Sequence, residues 1–361
     1  MTTINFQANT LVSLYYLWTQ SFGREERVKP ILEAFQDERI LSIVKAKPEF
    51  SPEAFSSLKE LASKLSKGEI KRFEEFEENI KILFPKDAER MLPVFKNTFE
   101  GLSDYVEKKG VKDKIEKTLE TLNADQEGYK KLLNNISVFL GFKTEQNIPC
   151  HINVYPDKKF NDGSSSDIAF QLSYSLTKDG GEYVNDTLIP VRKRCTPIHE
   201  ATHYLFNNSE WKKNLDKGIK TPEIYHSLCE LFERNSKEKL NPQRSSKQEA
   251  SLAIDEALAS CSSALYKEKV SGERLPDDYE WYHGFEVVNQ LAPQIYPKFK
   301  DYITNGKPLD DAFFQGLELD LTKKTWEEKD YGIPEGPPPI PQAEEVKLNQ
   351  SLLARLGKGK T

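Results

Sequence analysis

Cysteine is scarce in this 361-residue chain, and its scarcity removes whole classes of protein. The four cysteines are widely separated and form no C-x-x-C pair: Cys150, Cys195, Cys229 and Cys261. This pattern argues against a thiolate metal site and against a dense disulfide framework. We therefore expect a reducing compartment and predict a cytoplasmic protein, with export by a leaderless route left open.

Long apolar runs are also missing. No stretch approaches the roughly 18 uncharged apolar residues that a membrane-spanning helix needs, so the sequence predicts no membrane span. The apolar segment at residues 11–18 is preceded by no Lys or Arg and followed by no small-residue cleavage site, which argues against a signal peptide.

An excess of positive charge is absent as well. The 51 Lys and Arg residues are outnumbered by 57 Asp and Glu residues, and no basic stripe follows the chain. Because binding to a phosphate backbone depends on such a stripe, we do not expect nucleic acid as a partner. The apolar fraction of 37% and the charged fraction of 30% suit a mainly helical protein with long solvated faces.

Helical spacing of apolar residues dominates the chain from residue 9 to about residue 140. One example is the series Phe73, Phe76, Ile80 and Leu83. The last helix of this region is predicted at residues 125–140, with Gly141 as its stop, and it is expected to lie against a sheet.

Three short segments rich in β-branched or alternating residues follow, at 151–155, 168–177 and 187–191. The last two are predicted to form a hairpin through the turn formers at 178–181. The predicted fold class is α+β and mostly α. It comprises a helical N-terminal domain at 1–122, a second domain at 123–305 with a small mixed sheet, and an extension at 306–361.

The informative motif is H-E-x-x-H, formed by His199, Glu200 and His203. On a helix the two histidines share one face, so both imidazoles can approach one ion at about 2.0–2.1 Å, the zinc–nitrogen distance. Thr196 is expected to cap this helix, and Pro197 fits its first turn.

These residues resemble the zincin metallopeptidases, in which the metal-binding helix follows the edge strand of a small sheet beside the substrate cleft. Residues 187–191 would be that strand, and the resemblance implies that 123–305 is a zincin-like metallopeptidase domain with an active-site helix. The metzincin subgroup requires a glycine and a further ligand where this chain has Phe206 and Ser209, and is excluded. The resemblance is therefore to the gluzincin subgroup, which takes its third ligand from a glutamate on a later helix.

The resemblance directs attention to residues 251–266, a helical stretch whose only charged residues are Asp255 and Glu256. Such a helix should be buried, and a buried carboxylate is costly unless it is paired or binds a metal. Small residues that would allow close helix packing flank Glu256: Ala253, Ala257 and Ser260. Glu256 is the predicted third ligand.

Other readings of this helix stay open. Asp255 competes with Glu256 for the third position, as do His226 and Glu230 on the preceding helix, and a buried salt bridge needs no metal. Gluzincins often place an aspartate four residues after the ligand glutamate to orient a zinc-binding histidine. Here that position is Ser260, so the orienting group is not identified.

The resemblance implies one catalytic Zn²⁺ and a peptide or protein substrate. Two imidazoles and a carboxylate leave an open position for water, whose proton Glu200 would take as general base. Among candidates for stabilising the oxyanion, His283 is favoured over Tyr279 and Tyr282.

Two rival functions remain. A zinc hydrolase acting on a non-peptide substrate would use the same ligands. A helical interaction protein with a structural metal site would instead use its N-terminal helices and the Pro-rich run at 333–341, which can form a polyproline II segment for a binding partner.

Overall fold

The structure, a computed structural model, describes most of the first 320 residues. The described ranges are 1–21, 25–48, 52–156, 162–165, 170–175, 195–219, 221–234, 245–272, 274–275, 279, 281–282 and 285–320. Several predicted features lie outside these ranges: the strand at 187–191, the hairpin turn at 178–181, His283 and the Pro-rich run at 333–341.

The N-terminal part begins with a strand and continues as a succession of helices. The elements are β1 (Thr3–Gln7), α1 (Thr10–Gln20), α2 (Glu25–Ala34), α3 (Glu38–Leu41), a 3₁₀ turn (Ser42–Lys45), α4 (Pro52–Ser66), α5 (Phe73–Leu83), α6 (Ala88–Glu107), α7 (Lys109–Ala124) and α8 (Gln126–Phe139). The predicted helical region is therefore confirmed where it is described.

The second part supplies the remaining strands and the helices of the site. The elements are β2 (Asn147–Tyr155), β3 (Asp162–Ser165), β4 (Phe170–Ser175), α9 (Thr196–Asn208), α10 (Glu210–Asp216), α11 (Glu223–Arg234), α12 (Ser246–Ser271), α13 (Glu286–Asn305) and a 3₁₀ turn (Asp311–Phe314). The strands predicted at 151–155 and 168–177 appear as β2 and β4.

The strands form one small mixed sheet in the order β1-β2-β4-β3. β1, β2 and β4 are parallel, and β3 runs antiparallel to β4 at the edge. Neighbouring parallel strands need a long crossover, and helices α1 to α8 provide it between β1 and β2. The chain is thus mostly helical with a small mixed sheet, as predicted, whereas β1 and β3 were not predicted. The domain boundary at residue 122 stays a prediction.

Helix α8 lies against the sheet, as its apolar stripe predicts. The Phe6 and Tyr129 rings meet edge to face with centroids 6.0 Å apart, and Gln126 Nε2 donates to the Ile4 carbonyl oxygen at 2.6 Å. The helix ends before Gly141, whose φ of +83° is a left-handed conformation that favours glycine. This contact ties the helical region to the sheet.

Helix α12 is the central helix of the second part. It begins at a capping box between Ser245 and Gln248 and packs against α9, α11 and α13. The side chains of Ala253 and Ala257 are fully buried, so the predicted burial of this helix is confirmed. No helix among the described residues is long and apolar enough to cross a lipid bilayer.

His151 is a buried titratable residue on the side of β2 opposite Cys150. It is 1% exposed, and within the described part of the chain neither ring nitrogen has a hydrogen-bond partner. Burial lowers the pKa of His151 to about 4. The folded protein therefore holds this imidazole neutral at pH values where the unfolded chain would protonate it.

We predict that His151 makes the fold sensitive to acid. A histidine whose pKa lies lower in the folded state than the unfolded value of about 6.5 destabilises the fold as pH falls below 6.5, by about 2 kcal/mol between pH 7 and pH 5. Because glutamine cannot titrate, the free energy of unfolding of His151→Gln should fall less between pH 7 and pH 5 than that of the parent protein. The measurement is urea unfolding of both proteins at the two pH values in the presence of a chelator. Equal losses in the two proteins would contradict the prediction.

Candidate metal centre

Helix α9 presents the two histidines of the motif on one face. It begins after Cys195, which occupies the N-cap position without a side-chain capping bond. The prediction that Thr196 caps the helix is therefore wrong by one residue. Thr196 is instead the first helical residue, and Pro197 lies in the first turn, where a missing N–H costs nothing. His199 and His203 are then one turn apart.

Three donor atoms from α9 and α12 converge. The Nε2 atoms of His199 and His203 are 3.0 Å apart, and Glu256 Oε2 lies 3.4 Å from the first and 3.3 Å from the second. These residues form a group that could hold a metal ion. The structure thus brings together the three ligands predicted from the sequence.

The dimensions of this triangle suit tetrahedral zinc. Ligand atoms about 2.0–2.1 Å from one ion and separated by the tetrahedral angle lie about 3.3 Å apart, close to the three observed separations. Oε2 of Glu256 is also buried and has no hydrogen-bond partner among the described residues. A buried carboxylate oxygen without a donor is accounted for when a cation occupies the adjacent position.

Asp255 lies on the other side of the His203 ring. Its Oδ1 is 2.8 Å from His203 Nδ1, an ion-pair contact when the ring is protonated, and both side chains are 8% exposed. The sequence raised Asp255 as a rival ligand, but it is not a member of the converging group. The sequence signal for this contact was the pair of adjacent acids in the otherwise uncharged stretch 251–266 of α12.

The charges of the site are strongly coupled. Burial alone lowers the pKa of His203, but the negative charges of Asp255 and Glu256 outweigh it and hold that pKa well above the usual value. Burial alone would raise the pKa of Glu256, but the charge of His203 and contacts with both histidines hold that pKa well below its usual value. Burial raises the pKa of Asp255. A metal must therefore displace a proton from His203, so its affinity should rise with pH.

Glu200 is buried and faces the region between α9 and the sheet. Burial raises the pKa of the Cys150 thiol on β2 well above its usual value, and the negative charge of Glu200 adds to this rise, so the two side chains are near each other. Helix α9 also contacts β4 and the edge strand β3. Within the described residues, β3 therefore occupies the edge position that the sequence assigned to residues 187–191.

The alternative ligands on α11 lie elsewhere. His226 and Glu230 are both exposed. His226 Nε2 is 2.8 Å from the Thr221 hydroxyl, and Glu230 accepts a hydrogen bond from Arg234 at 3.3 Å. Neither belongs to the converging group.

The candidates for stabilising the oxyanion are only partly described. Lys267 Nζ lies 4.9 Å from the Tyr279 ring centroid, about three turns along α12 from Glu256. The Tyr282 backbone N–H donates to the side-chain oxygen of Asn289 at 2.9 Å. His283, the favoured candidate, lies outside the described residues and stays a prediction.

Comparison with known proteins adds no relative. No protein-family model matches the chain, and neither the curated proteins nor the solved structures provide a match. The chemistry of the site therefore rests on its own residues.

We predict about one zinc ion per chain, bound through Glu256 as well as the two histidines. Glu256→Ala should lose stoichiometric zinc, because two histidines alone bind it far more weakly. Glu230→Ala makes the same chemical change on the exposed surface and should keep it. Elemental analysis after dialysis measures both, and circular dichroism checks the helical content. Stoichiometric zinc in folded Glu256→Ala would contradict the assignment.

Proposed function

We propose that this chain is a zinc-dependent peptidase of the gluzincin type. The observation that carries the proposal is the triangle of two imidazole nitrogens and one carboxylate oxygen, sized for a tetrahedral ion, on a helix that also carries Glu200. The H-E-x-x-H motif followed by a glutamate on a later helix is the pattern of that group.

The donor set favours zinc in a catalytic rather than a structural role. Three protein ligands of nitrogen and oxygen type leave one tetrahedral position open, whereas structural zinc sites are closed by four protein ligands. Zinc in such a site supplies a Lewis acid and lowers the pKa of a coordinated water. The His199 side chain is 20% exposed and that of His203 only 8%, so the open position is proposed to lie on the His199 side.

Glu200 is the proposed general base. It follows His199 directly on α9, and its carboxylate lies in a buried setting near β2. There it would take a proton from the attacking water and return it to the leaving amine.

A peptide is the proposed substrate because of the strand beside α9. Among the described strands β3 pairs only with β4, and it contacts α9. An extended peptide can add to such an edge through main-chain hydrogen bonds, which would place its backbone beside the metal ligands. This binding mode depends on a row of peptide N–H and C=O groups, which a small non-peptide amide does not have.

The proposed location is the cytoplasm. All four cysteines lie in the described part of the chain and none of them forms a disulfide there, which fits a reducing compartment.

Glu200→Gln tests the proposed reaction. The change keeps the volume and the hydrogen-bonding capacity but removes the base, so zinc should stay bound while turnover falls by about 10² or more. The readouts are metal content and cleavage of a peptide library, with a panel of non-peptide amides and esters run in parallel. Glu230→Gln, the same change on the exposed face of α11, should cleave as the parent does.

Two outcomes would count against the proposal. Full activity of Glu200→Gln on a confirmed peptide substrate would remove Glu200 from the mechanism. Turnover of the non-peptide panel without any peptide cleavage would keep the metal chemistry and replace the substrate class.

A further inference from the structure

The two carboxylates of α12 hold the His203 ring from opposite sides. Adjacent residues on a helix point about 100° apart, so both can meet one ring only if that ring lies between them. Asp255 Oδ1 is 2.8 Å from Nδ1, and Glu256 Oε2 is 3.3 Å from Nε2. All three side chains are largely buried. The ring therefore has a carboxylate at each of its nitrogens.

Ser260, where gluzincins often carry the orienting aspartate, does not perform this task. Its hydroxyl is buried and has no hydrogen-bond partner within the described part of the chain. The carboxylate that reaches a histidine nitrogen away from the metal comes instead from the residue just before the ligand glutamate. This chain thus departs from the pattern of the family it resembles.

We propose that Asp255 is the positioning residue of the metal centre. In the metal-loaded site its carboxylate, which lies 2.8 Å from Nδ1, would accept the Nδ1–H of His203 and fix the ring orientation. The Nε2 lone pair would then be free to bind the ion. The inference rests on the metal centre of the proposed function. Its physical basis is that a neutral imidazole carries one proton, so holding that proton on Nδ1 selects the tautomer that can bind metal through Nε2.

Two other roles for Asp255 are weaker. As a direct ligand it would have to join the converging donor atoms, but the group comprises only His199, His203 and Glu256. As a mere source of negative charge it would not need to lie 2.8 Å from one particular ring nitrogen. A general effect of buried charge and positioning by Asp255 predict different results when Asp255 is compared with Glu249, a buried carboxylate elsewhere on α12.

Asp255→Asn is the direct test, because asparagine keeps the shape but can present an N–H to Nδ1 and so favour the wrong tautomer. Zinc affinity, measured by competition with a chromophoric chelator, should fall by about 10- to 100-fold. The midpoint temperature of thermal unfolding, measured in excess chelator, should be equal to or higher than that of the parent protein, because a buried charge has been removed. Unchanged zinc affinity would overturn the proposal.

Glu249→Gln is the matched charge control. It removes a carboxylate that is fully buried on the same helix, two turns from Glu256. An equal loss of zinc affinity in both variants would show a general effect of buried charge on α12 and would overturn the proposal. Positioning by Asp255 predicts the loss in Asp255→Asn alone. Ser260→Ala, which removes a hydroxyl from the same helix, should also bind zinc as the parent does.

Nitrogen-15 NMR of the histidine rings shows which nitrogen of His203 carries the proton. It needs no variant, so it still tests the proposal if Asp255→Asn fails to fold. In the zinc-loaded protein His203 should carry its proton on Nδ1 and bind metal through Nε2. The reverse assignment would overturn the proposal. Absence of zinc uptake by the parent chain would instead contradict the proposed function, so the two failures are distinguishable.

Discussion

The structure of the site depends on one buried contact, the His203 ring held between Asp255 and Glu256 where α9 crosses α12. Burying two carboxylates is expensive, and a buried ion pair repays that cost only when its geometry is good and its remaining donors and acceptors are satisfied. In the metal-free chain the proton on His203, whose pKa is held well above its usual value, supplies the balancing charge. A divalent ion would replace that proton and also satisfy Glu256 Oε2, the buried oxygen left without a donor in the described residues. The same contact therefore explains why α12 is lined with small residues and why a metal should bind where the two helices meet.

Local sequence patterns predicted the elements whose residues carry their own periodicity. The apolar stripe of α8, the alternating side chains of β2 and the H-E-x-x-H spacing of α9 are each visible over several consecutive residues of the sequence. β1 and β3 were missed for different reasons. β1 has only Ile4 and Phe6 facing inward, and its partner β2 lies beyond eight helices in the chain. β3 reads Asp-Gly-Ser-Ser, so its strand conformation comes from pairing with β4 and from no propensity of its own.

At the candidate site, too, local spacing predicted some residues, whereas the role of another depends on how distant elements pack. Spacing on one helix brought His199 and His203 together, and the expected burial of the otherwise uncharged stretch 251–266 pointed to Glu256. The contact of Asp255 with His203 Nδ1 could not be predicted from the sequence, because it depends on how far α12 is rotated about its axis relative to α9. A rotation of about 100° would exchange the two carboxylates. That rotation is set by how the whole buried surface of α12, including Ala253 and Ala257, packs against the neighbouring elements, and the sequence of one helix does not encode it.

The most direct test is an anomalous difference map from crystals of the zinc-loaded protein, recorded on both sides of the zinc absorption edge. The account predicts one strong peak within about 2.0–2.2 Å of Nε2 of His199, Nε2 of His203 and a carboxylate oxygen of Glu256, with Asp255 at His203 Nδ1 and outside bonding distance of the ion. A peak bound by other residues, or crystals grown with zinc that show no peak between α9 and α12, would contradict it.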